Sequence, residues 1–181
     1  MLLFAARLQT LLDDQAYARS DGLLARFSAP ERCKRELSRA KRLRAKKAAF
    51  FPCWLLLNNM EHLTAEFPCL LDSLPAREPA PSFDEAFFVA FEHLTVYFLW
   101  RWFLKASVDG KLLSRVESCV FHVLSIAALF SAQETKDLQT LMHLSGLYSK
   151  EVEHSDENLQ LLARVFERGT LKLSVLLRLL R

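Results

Sequence analysis

SFDEAFFVAFEHLTVYFLWRWFLKA, residues 82–106, decides the fold class. Ser82 and Glu85 form a capping-box pair that can satisfy the free N–H groups of a helix start. Phe83, Phe87, Ala90, Phe91, Leu94, Phe98 and Trp102 then recur at helical spacing and define one broad apolar face. The opposite arc is mixed. Phe88, Leu99 and Phe103 share it with Asp84, Glu92 and Thr95, so neighbours are expected on more than one side of this helix.

Outward from that stretch the chain reads as helix throughout. It has 181 residues, 51% of them hydrophobic, with only four glycines, which suits one helical domain rather than a sheet built on tight turns. The expected architecture is all-α, an irregular multi-helix bundle around the aromatic helix. Residues 1–72 form a basic N-terminal part, the Pro-rich 73–81 a linker and 82–181 a C-terminal bundle, one cooperative domain overall. Towards the C-terminus, Asp109-Gly110 marks a turn, and Leu112, Val116, Cys119, Val123, Ala127 and Phe130 predict the next helix. His122 lies among them and reads as a hydrogen-bonded core histidine. Further helices are predicted from 135 to about 150, from a Ser155 cap to Gly169, and over 170–181.

Towards the N-terminus, a helix over 53–67 is predicted after Pro52, with His62 read as a surface imidazole in preference to a ligand or base. Residues 1–18 carry Leu3, Leu8, Leu11 and Leu12, and their abrupt apolar start suggests a chain beginning inside a longer protein. No signal peptide is visible, and the greasiest window, 87–104, is broken by Glu92, His93 and Arg101. A cytoplasmic protein without a membrane span is therefore expected. The four cysteines, Cys33, Cys53, Cys69 and Cys119, are widely spaced and read as reduced packing residues rather than metal ligands.

The net charge of +3 names no partner, but its distribution is uneven. Between residues 31 and 47, nine cations stand against Glu31 and Glu36: Arg32, Lys34, Arg35, Arg39, Lys41, Arg42, Arg44, Lys46 and Lys47. Arg35, Arg39, Arg42 and Lys46 belong to one stripe, which reads either as a solvated helix face or as a dock for an acidic partner. No aromatic residues are interleaved with it, and no helix-turn-helix is evident, which disfavours nucleic acid. Gly-rich phosphate loops, HExxH, CxxC and GxSxG are all absent.

A second polar cluster, LYSKEVEHSDENL at 147–159, gathers Tyr148, Glu151, Glu153, His154, Asp156 and Asn158. Such a group can orient a lysine amine, accept its proton or bind a cation; equally, a helix end followed by a Ser155 cap collects acids of itself. This cluster, with EHLTVYFLWRWFLKASVDGKLLSRV at 92–116, resembles the flagellin lysine-N-methylase family. The likeness covers about residues 83–162. It implies methyl transfer from S-adenosylmethionine to ε-amino groups on flagellin, with Tyr148, Glu151, Glu153 and His154 as candidate catalytic residues. It also implies that the family's Cys-rich iron–sulfur or other metal site is absent here, so the chain resembles the C-terminal helical portion, as a fragment or truncated form. The competing reading is a non-enzymatic helical interaction module.

Overall fold

The computed structural model describes residues 2–14, 49–74 and 85–179, together with the isolated positions 22, 29–31, 34, 35 and 38. Among the described residues the fold is helical and contains no sheet. The helices are α1 (Leu2–Asp13), α2 (Phe51–Asn58), α3 (Glu66–Asp72), α4 (Phe88–Trp102), α5 (Ala106–Asp109), α6 (Leu112–Ser131), α7 (Leu138–Tyr148), α8 (Asp156–Glu167) and α9 (Leu173–Leu179). Single 3₁₀ turns, Glu85–Phe87 and Phe103–Lys105, flank α4, so the aromatic helix is shorter than its sequence pattern. Ser82 of the capping box, residues 75–81 of the 73–81 linker, and Arg39, Arg42 and Lys46 of the basic stripe lie outside the described residues; Arg35 is exposed.

The organising element is α6 rather than α4. Residues 121–130 are buried without a break, as befits a helix that is apolar on nearly every side. Helices α1, α2, α4, α7, α8 and α9 all pack on it. By length and composition α6 is apolar enough to cross a membrane, but 78% of its apolar window is buried inside this fold, which marks it as a core helix. The greasiest window is thus this one and not 87–104.

The inward face of α4 is the one the spacing indicates. Phe91, Phe98 and Trp102 are buried, with Phe87, Ala90 and Leu94 packed beside them. Phe91 and Phe87 meet Phe130 edge-on, and Phe98 stacks on His122 at 4.7 Å between ring centroids. The Cys119 thiol donates to the Phe98 carbonyl at 3.2 Å, fixing α6 against α4. Truncating a ring as enclosed as Phe98 costs roughly 3–5 kcal/mol by loss of transfer energy and cavity formation. The outward face is not covered as expected: Phe88, Val89, Val96, Trp100, Phe103 and Leu104 are all exposed.

Residues 59–65 are a loop, not the continuation of a helix over 53–67. Asn58 and Asn59 turn their amides back onto the carbonyls of Trp54 and Leu55, at 3.0 and 2.7 Å, and so end α2. His62 in that loop is half-buried against Phe67, with Nδ1 buried and unpartnered, and is not a surface imidazole. At the other end of the core, Gly110 adopts φ 69°, a left-handed conformation natural to glycine, and closes α5. Gln9 of α1 secures this turn, donating to the Gly110 carbonyl at 2.9 Å and accepting from the Leu113 N–H at 3.2 Å. That contact satisfies one of the orphan donors at the start of α6.

Candidate functional site

The polar cluster is built on an unusual piece of backbone. Asp137 caps α7 and Ser155 caps α8, each accepting from the N–H three residues on. Between these helices, Ser149–Glu153 forms a single π turn, in which Glu151, Val152 and Glu153 are all buried. A wide turn of this kind lets successive side chains enter different neighbours, and it does so here.

Tyr148, Glu151, Glu153 and His154 therefore do not converge. Tyr148 is wholly buried, its hydroxyl 2.9 Å from His122 Nδ1, while His122 Nε2 lies 3.2 Å from Ser118 Oγ. Burial holds His122 neutral, with its pKa lowered to about 3, and pushes the Tyr148 phenol well above its ordinary value. The Glu151 carboxylate turns to the loop at 59–65, accepting from the Leu63 N–H at 2.7 Å and from the Thr64 hydroxyl. Asn158 completes that clamp. Its Oδ1 accepts from the Glu61 N–H, and its Nδ2 donates to the carbonyls of Glu61 and Glu151, all at 2.8 Å. His154 is exposed.

Glu153 alone has a route outward. Its side chain is fully enclosed, yet both partners lie on the open flank of α4: Tyr97, whose hydroxyl donates at 3.1 Å, and Arg101, which forms an ion pair with it. Tyr97 is 44% exposed and the Arg101 side chain 42%. Burial and the neighbouring Glu153 charge raise the Tyr97 pKa, with Arg101 opposing. Tyr97 and Arg101 are partners that sequence reasoning missed. The available signal was their i, i+4 spacing on a single helix face.

Beside this group, Trp102, Lys105, Arg115, Ser118, Asp156 and Gln160 border a cleft of about 200 Å³ between α4, α6 and α8. The Lys105 ammonium sits 4.2 Å from the Trp102 ring centroid and the Arg101 guanidinium 5.4 Å from it. The Trp102 indole N–H is buried and has no partner. Arg115 is held by Asp109. A second cleft, of about 240 Å³, is bordered by Gln9, Asp13, Lys111, Glu117 and Glu167. There burial raises the Glu117 pKa to about 7, and Lys111 pairs with Glu167 at 2.7 Å.

Neither cleft suits a nucleoside-bearing methyl donor. No glycine-rich turn borders either one, and the Trp102 face that a base would need carries the Lys105 ammonium. Among the described residues, no cluster of three or more His, Cys, Asp or Glu side chains could hold a metal ion, and Cys53, Cys69 and Cys119 are free thiols.

Comparison with protein families matches residues 1–179 to the FliB lysine N-methylase C-terminal domain. The chain belongs to that family. No curated protein and no solved structure matches it.

Proposed function

We propose that this chain is the helical portion of a lysine N-methylase acting on flagellin, and that Glu153 is the group that meets the target lysine. The observation that carries the reading is a fully enclosed carboxylate whose partners, Tyr97 and Arg101, both stand at the half-exposed flank of α4. A lysine ammonium arriving there exchanges with Arg101 as the counter-ion of Glu153. Methyl transfer requires a neutral amine, and an enclosed carboxylate at hydrogen-bond distance can take the surplus proton. The Tyr97 hydroxyl, already directed at Glu153, then holds the nitrogen in place. Tyr148, Glu151 and His154 enter this scheme differently: Tyr148 and Glu151 as supports of the π turn, His154 at its open side. The methyl donor that the scheme requires is S-adenosylmethionine, by the resemblance.

The test is mass spectrometry of flagellin lysines from cells with and without this chain, carrying the wild-type sequence, Glu153→Gln or Tyr97→Phe. Loss of methyl groups in Glu153→Gln is expected while circular dichroism shows the variant still folded. Unchanged methylation in that variant removes Glu153 from the reaction, and no gain of methyl groups with the wild-type chain removes the enzymatic reading of the chain alone.

A second reading, a non-enzymatic interaction module, is favoured by one feature. Val89, Val96, Trp100 and Phe103 form an uncovered apolar line along α4, with Trp100 70% exposed.

A further inference from the structure

We propose that the cleft bordered by Trp102, Lys105 and Asp156 binds polypeptide carrying both charge signs, so that the Glu153 site selects lysines with an acidic neighbour. The inference rests on the reading of Glu153 given above and adds the class of substrate sequence it takes. The cleft adjoins that site through two links. Arg101, the ion partner of Glu153, lies over the ring of Trp102, and Asp156 opens α8 three residues after Glu153, across the extended Ser155 cap.

Its charges divide into used and free. Arg101 is committed to Glu153 and Arg115 to Asp109. Lys105 and Asp156 are both exposed, and neither has an ion-pair partner among the described residues; the Lys105 ammonium rests only on Trp102. Among the described residues the cleft thus offers one unpaired cation and one unpaired anion, with Ser118 and Gln160 as neutral polar groups between apolar walls. Trp102, on the wall of the cleft, also carries a buried indole N–H without a partner, a donor sensitive to any change in that wall. A polyanion fits poorly because Asp156 opposes it. A peptide with an acidic side chain near its lysine fits well: the carboxylate draws Lys105 off the indole, and the lysine is directed towards Glu153.

The experiment follows the Trp102 indole N–H by NMR, assigned with a Trp102→Phe variant, during titration with four capped alanine peptides. These carry lysine plus glutamate, lysine plus glutamine, norleucine plus glutamate, and norleucine plus glutamine. The glutamate forms are expected to bind about fivefold more tightly than their glutamine counterparts, the scale of one partly exposed ion pair. Lys105→Ala, at an exposed position that leaves the core intact, is expected to erase that preference without weakening the glutamine forms. Equal affinity for glutamate and glutamine, or a preference that survives Lys105→Ala, overturns the inference. So does inorganic phosphate binding as well as the peptides, or no peptide binding at all. The lysine-to-norleucine comparison reports separately on Glu153: a glutamate preference without a lysine preference sinks that reading and, with it, the selection of lysine, whereas a lysine preference without a glutamate preference overturns this inference alone.

Discussion

Replacing Asn158 by alanine tests whether the polar cluster holds distant parts of the chain together. The side chain makes three hydrogen bonds of 2.8 Å, two to the backbone of Glu61 and one to the Glu151 carbonyl. Each such bond contributes about 1 kcal/mol net, so the gross loss is about 3 kcal/mol. Glu61 is exposed, and water can replace part of what its backbone loses, which brings the expected cost to roughly 2 kcal/mol. For a chain of this size that corresponds to a melting temperature lower by about 4–8 °C. Asn158→Asp is the sharper variant. It is isosteric and keeps the acceptor for the Glu61 N–H, but turns a charged oxygen towards two carbonyls, so it should cost at least as much as alanine. Urea unfolding followed by circular dichroism gives the free energies, and hydrogen exchange at the Glu61 and Leu63 amides gives the local effect. If Asn158→Asp unfolds within about 0.5 kcal/mol of wild type and those amides stay protected, the clamp contributes nothing and the reasoning fails.

Other expectations concern buried groups. Burial lowers the folded His122 pKa to about 3, so its contribution to stability is present above 6.5 and is lost as pH falls towards 3. Burial raises the folded Glu117 pKa to about 7, so its contribution is present below 4.5 and is lost as pH rises to 7. The two oppose one another between 4.5 and 6.5, where wild-type stability should be nearly flat. Denaturation across that window should show His122→Gln gaining stability as pH falls and Glu117→Gln losing it; parallel slopes in both variants would contradict the assignment. Burial also pushes the thiols of Cys53 and Cys119 up to about 12, while Cys69 is exposed. Alkylation at pH 8 read by mass spectrometry should therefore label Cys69 within minutes and reach Cys53 and Cys119 only on unfolding. Trp100→Ala should shift the melting temperature by no more than about 2 °C, because the ring is 70% exposed.

Much of the fold was legible because burial and helical spacing coincide in it. The inward face of α4, the helix at α6, the caps at Ser155 and Gly169 and the core role of His122 all follow from local pattern. The hub was harder to place. The aromatic residues of α4 are conspicuous, whereas the rank of α6 lies in how many other helices enclose it, which its own sequence does not show. The break at 59–65 was illegible for another reason: its partners, Glu151 and Asn158, lie 87 to 97 residues away. The candidate site suffers from the same distance. Glu153 was one of four candidates named together in the polar cluster, and its tie to Tyr97 spans 56 residues. Tyr148 and Glu151 looked chemically active for being polar, and burial alone reveals that their hydrogen bonds are already taken.

The clamp on residues 61–64 also has a consequence for how the chain is made. At about 5–20 residues per second, the loop is polymerised some 5–20 seconds before Asn158. Throughout that interval the loop between α2 and α3 lacks its clamp, and the bond from the Trp54 indole N–H to the Leu71 carbonyl, at 2.9 Å, is left to hold the two helices together. The loop is therefore the late-setting part of the N-terminal third, and a nonsense codon near position 150 would leave a product slackened some ninety residues upstream of the lesion.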